Sequence, residues 1–100
     1  MRIRLRNTKP GQKIVLKFAE MLQGDGALYV ANLRAAEAKD VYYCKGGGVE
    51  TYMPRFTFHG FRYAQIEGYV DVKPEDLTAC VMHNDLKKTG EFDCSDPLLN

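Results

Sequence analysis

The chain has no tryptophan and only two histidines in 100 residues. Tryptophan is the aromatic best suited to stacking on a sugar ring, so its absence weakens any reading as a dedicated carbohydrate platform. Two histidines, with no acidic pattern at metal-ligand spacing beside them, give no metal site. The three cysteines, Cys44, Cys80 and Cys94, cannot all pair within the chain, and no C-x-x-C occurs. That excludes a complete disulfide framework and a zinc knuckle. They read as small, partly buried thiols. A charge of one sign is missing too: 14 basic and 13 acidic residues leave a net +1. Such a balance gives no electrostatic reason to expect nucleic acid or an anionic membrane as a partner. No apolar run reaches roughly 18 residues, so no membrane-spanning helix is expected. No signal peptide precedes the first charged pattern, and the compartment stays open between cytoplasm, periplasm and exterior.

Short β-type runs separated by turn residues make up the rest. Arg2, Arg4 and Arg6 alternate with Ile3 and Leu5, so one strand face is cationic and the other apolar. The cationic face reads as solvated or interdomain. Asn7–Gly11 is a turn around Pro10. Lys13–Met21 alternates again, with Ile14, Leu16 and Phe18 on one face. Gly24-Asp25-Gly26 is a second turn, and Leu28–Ala38 reads as a short helix or an irregular turn. Val41–Lys45 is a strand ending at the glycine turn 46–48. Glu50–Phe58 and Phe61–Tyr69 are expected as strands around a corner at His59-Gly60. Leu77–Asp85, which would place His83 inside a strand, and Glu91–Cys94 complete the set. Short strands at this spacing predict an all-β fold, an antiparallel sandwich or jelly roll with at most one short helix.

Residues 1–94 are expected to form one domain whose first strand is truncated. Ser95-Asp96-Pro97 then has the grammar of a helix start, an N-cap serine followed by an acid and proline in the first turn. Residues 95–100 are thus expected to begin a linker or helix into a further domain.

Catalytic signatures are scarce. There is no G-x-S-x-G, and nothing local pairs a cysteine with a histidine. Gly46-Gly47-Gly48 lacks the phosphate-loop pattern, and no cofactor is implied. Glycoside hydrolysis requires two carboxylates across a cleft. Glu20, Asp25, Glu50, Glu67, Asp85 and Glu91 are available, but most fall at turns or on outward strand faces, where they serve solubility. The best candidate contact residues are His59, Arg62 and Tyr63. A turn with histidine, arginine and aromatics can line a sugar or anion site, or it can be packing against the core or a neighbouring domain.

Several runs resemble bacterial α-L-rhamnosidases. These are Ala19-Glu20-Met21-Leu22, Asp25-Gly26-Ala27-Leu28-Tyr29, Asn32-Leu33-Arg34, and Asp40 followed by Tyr42. The long run Tyr52-Met53-Pro54-Arg55-Phe56-Thr57-Phe58-His59-Gly60-Phe61-Arg62-Tyr63 is the most specific, and Thr89–Asn100 also matches. Asp96 stands where that family more often has asparagine. The resemblance implies the concanavalin-like β-sandwich that precedes a catalytic (α/α)6 barrel. It also implies that the parent is an inverting glycosidase whose acidic pair lies in that barrel, so no catalytic residue is carried onto this chain. The expected role is a non-catalytic module that positions the barrel. The expected partners are the barrel and neighbouring β-domains of one parent chain. The alternative is a carbohydrate-binding module for rhamnosylated glycans.

Overall fold

A computed structural model describes all 100 residues. Eight short strands, all antiparallel, form its regular structure: β1 (Arg2–Arg6), β2 (Lys13–Ala19), β3 (Met21–Leu22), β4 (Leu28–Tyr29), β5 (Lys39–Tyr43), β6 (Val49–Tyr52), β7 (Tyr63–Glu67) and β8 (Leu77–Thr78). There is no α-helix, and two single 3-10 turns cover Ala31–Leu33 and Pro74–Asp76. One sheet has the order β6-β1-β8, the second β5-β2-β7, and β3-β4 is a small hairpin.

The central strands carry the alternation that the sequence predicts. Ile3 and Leu5 of β1, and Ile14, Leu16 and Phe18 of β2, are almost wholly withdrawn from water. They form a single core with Cys44 and Tyr69, against which Tyr42, Tyr52, Phe61 and Leu77 also pack. Full burial of such side chains stabilises by about 1.5–3 kcal/mol each. Two glycines are required by close approach. Gly68, at φ 81°, passes so near the Lys13 carbonyl that a Cβ would collide with it. Gly46, at φ 89°, leaves no room for a Cβ beside the Pro10 ring.

The outward face of β1 is exposed at Arg2 and Arg4, yet its arginines are paired. Arg4 Nε and Arg6 Nη1 donate to the buried Asp76 carboxylate at 3.2 and 2.6 Å, and Arg2 reaches Thr78 at 3.3 Å. The cationic stripe is therefore paired within the domain while Arg2 and Arg4 remain exposed.

Five expectations are corrected or narrowed. Glu50–Phe58 pairs only as far as Tyr52, because Pro54 has no N–H to give a ladder. His59-Gly60 is not a hairpin corner, since β6 and β7 belong to different sheets. Residues 53–62 instead form an irregular strap crossing between them. The Leu77–Asp85 run is paired only at Leu77 and Thr78, which lie opposite Ile3 and Arg2 of β1. His83 is accordingly outside any strand, as are residues 91–94. The Leu28–Ala38 segment resolves into β4 and one 3-10 turn.

Candidate functional site

The strap fixes the three candidate residues in two different settings. His59 is turned inward. Its ring stacks on Phe18, with centroids 4.8 Å apart and planes at 22°. Its Nε2 lies 3.0 Å from Asp40 Oδ1, with the two side chains 16% and 4% exposed. Phe61 also packs on Phe18, with ring centroids 5.0 Å apart and planes at 47°. Arg62 and Tyr63 face outward as a pair, with the guanidinium carbon 5.6 Å from the tyrosine ring centre. Arg62 N–H also donates to the Ala19 carbonyl at 3.0 Å, which ties the end of the strap to β2. His59 thus works as an anchor, and the Tyr63 ring face is occupied by its neighbour.

Three buried carboxylates carry the electrostatics, and sequence reasoning did not single them out as sites. Asp40, on β5, has Oδ1 on His59 and leaves Oδ2 buried without a partner. Glu50, expected at the surface, is buried instead. Its carboxylate accepts hydrogen bonds from the Thr8 hydroxyl, from the Lys45 N–H at 2.8 Å, from the Tyr42 hydroxyl at 2.7 Å and from the Gly46 N–H at 3.0 Å. These donors, Thr8 first, hold the Glu50 carboxyl down at about 2. The same bond pushes the Tyr42 phenol up to about 12. Glu50 therefore satisfies the Lys45 and Gly46 amides at the entry to the glycine turn, while the Gly47 N–H donates to the Thr8 carbonyl at 3.0 Å; Gly46, Gly47 and Gly48 all have positive φ. Asp76 is the third. Burial alone would raise its pKa, but Arg6, Arg4 and the Lys73 N–H outweigh that and keep it below the usual carboxylate range. The signals were faint but present: a triple glycine leaves amides unpaired, and three in-phase arginines call for a counter-charge.

Nothing in this arrangement resembles a metal or nucleophile centre. No group of three or more histidine, cysteine or acidic side chains gathers to hold a metal ion. The Cys44 thiol is pushed up by burial, which makes it a poor nucleophile. Beside the strap lies an open groove of about 540 Å³, with Tyr42, Lys45, Tyr52, Arg55 and Phe56 in its lining. Tyr42 and Tyr52 stack on each other there, centroids 4.7 Å apart, and Tyr52 is pushed up by burial and by the Asp40 carboxylate.

Comparison with known proteins gives one consistent result. Residues 1–83 match the family profile of the bacterial alpha-L-rhamnosidase concanavalin-like domain. An alpha-L-rhamnosidase of Streptomyces avermitilis is 49% identical over 92 residues, covering 90% of this chain and 9% of that protein. The crystal structure of a Streptomyces avermitilis alpha-L-rhamnosidase complexed with L-rhamnose superposes with a TM-score of 0.77 at 46% identity. It covers 98% of this chain and 10% of the other. For the alpha-L-rhamnosidase of Dictyoglumus thermophilum the TM-score is 0.82 at 43% identity, with 98% and 11% covered. The chain spans about one tenth of the relatives it matches.

Proposed function

Because this chain belongs to the concanavalin-like domains of bacterial α-L-rhamnosidases, we propose that it is a non-catalytic module that packs against and positions the catalytic (α/α)6 barrel of a longer, inverting enzyme. The observation that carries the reading is the use made of its buried carboxylates. Asp76 is held by two arginines, Glu50 by a hydroxyl, a phenol and two amides, and Asp40 is bonded to His59. Carboxylates so engaged maintain the fold, whereas glycoside hydrolysis calls for an acid and a base facing each other across a cleft. Residues 1–94 would be the module, and 95–100 the start of its connection to the barrel. Here Ser95–Asn100 forms a tight turn, with the Leu99 N–H on the Asp96 carbonyl at 3.1 Å.

Direct contact with rhamnose-containing glycans draws less support. Arg62 covers Tyr63, His59 faces the core, and Tyr42 lies against Tyr52. Titration with L-rhamnose, followed by amide shifts at His59–Tyr63, tests that alternative.

The positioning role is tested by a chimera. This chain replaces the matched segment of the Streptomyces avermitilis alpha-L-rhamnosidase, and a second variant lacks the segment. The chimera is expected to retain hydrolysis of an aryl α-L-rhamnoside and the deletion to lose it. Equal activity in the two would contradict a positioning role.

A further inference from the structure

The arginine stripe is occupied by Asp76 and Thr78, so a docking surface has to lie elsewhere. The strap offers one. Phe56 is fully exposed, Phe58 is 72% exposed and Met53 is 51% exposed. Large apolar side chains this concentrated on a surface segment mark an interaction site. No backbone hydrogen bond outside the strands involves Met53–Phe58. Both ends of the segment are nevertheless fixed. Tyr52 stacks on Tyr42 at one end, and His59 is held by Phe18 and Asp40 at the other. Pinning both ends limits the freedom that the segment loses when a partner orders it.

We propose that Met53–Phe58 is the docking strap of this module, with Phe56 and Phe58 entering an apolar pocket rimmed by carboxylates on a neighbouring domain of the same longer chain. The inference rests on the positioning role proposed above and names the surface that performs it. Two observations choose the occupant. The adjoining groove is lined by Lys45 and Arg55 and by no acidic residue, so its partner is expected to bring negative charge to the rim. About nine tenths of each relative lies outside the matched segment, so a neighbour in the same chain is at hand at high effective concentration.

The test compares one pair of substitutions in two settings. Phe56→Ser with Phe58→Ser, and separately Arg55→Glu, are made in the isolated chain and in the chimera described above. In the isolated chain both variants are expected to keep the thermal midpoint, because Arg55, Phe56 and Phe58 are exposed and lie outside the core cluster. In the chimera the double variant is expected to shorten the half-life of hydrolytic activity on heating by roughly tenfold or more. There it should also open the strap to protease, and Arg55→Glu should act in the same direction, less strongly. A double variant as durable as the unmodified chimera would overturn the strap proposal while leaving the positioning role intact. A chimera no better than the deletion would overturn the positioning role, and the strap proposal with it. A dimer of the isolated chain that the double variant turns into monomer would make a second copy the occupant, and would also overturn the proposal.

Discussion

Residues 1–78 and 79–100 have similar ingredients and opposite fates. Every strand and every buried residue lies in the first region. In the second, Val81, Leu86, Phe92 and Leu98 stand in solvent, and the hydrogen bonds are local, such as Cys94 and Asp93 to Asn100. The first region is held by side-chain bonds across long stretches of sequence, Arg4 and Arg6 to Asp76 among them. The extended second region gives a radius of gyration of 17.7 Å, against about 13 Å for a compact domain of this length. Local composition alone does not make a strand here: Val81 and Met82 stand exposed outside any strand, whereas Leu77 and Thr78 are paired with β1.

The comparison can be broken most forcefully in the core. Phe18→Ala is expected to cost about 3–5 kcal/mol, comparable to the whole stability of a small domain. Its far-UV spectrum at 25 °C should be that of an unfolded chain. Phe92→Ala, the same chemical change in the second region, should leave stability within about 0.5 kcal/mol of the parent. A large loss in urea unfolding for Phe92→Ala would mean that the second region contributes to the fold.

The polar anchors come next. Asp76→Asn removes the charge that holds Arg4 and Arg6, and leaves the arginines without a counter-ion. A clear drop in thermal midpoint is expected, accompanied by weakened pairing of β8 in hydrogen exchange. An unchanged midpoint would show that the β1 face can be satisfied by water alone.

Acid should act through Glu50. Its folded carboxyl titrates at about 2, below the unfolded value of about 4.3. The stabilisation it brings is thus complete above the unfolded value and is lost as the pH falls from about 5 toward 2. Glu50→Gln should flatten the stability profile over that window, read by denaturant unfolding at several pH values. The parallel profile of a Glu91→Gln control should stay that of the parent, because Glu91 bonds only to exposed Lys88. A slope in the Glu50→Gln protein equal to the parent's would remove Glu50 from the acid response. The smallest effect is reserved for truncation after Asn84, which should leave the thermal midpoint of the first region nearly where it was.

The same contrast marks what the sequence could disclose. Strands β1 and β2 were legible because a two-residue period sets Ile3, Leu5, Ile14, Leu16 and Phe18 on one face, whatever pairs beside them. Their turns were legible from Pro10, Gly11 and the glycine run. The family, too, could be recognised from Tyr52–Tyr63 taken as a string. What escaped depends on partners distant in sequence. That Arg4 and Arg6 point to one side follows from parity; that Asp76 meets them, some seventy positions on, does not. Glu50 sits in a strand like any outward acid until the glycine turn folds over it. A change of sheet has no local code, so the strap reads locally as two strands and a corner; the sequence leaves His59 open between contact and packing, and its ring stacks on Phe18.

Amide hydrogen exchange of the isolated chain and of the chimera tests the central claim most directly: a β-sandwich that presents its strap to a neighbour. The amides of β1 and β2 should be slow in both, and those of Arg55–Phe58 fast in the isolated chain and slow in the chimera. Strap amides that exchange equally fast in the two proteins would contradict the claim.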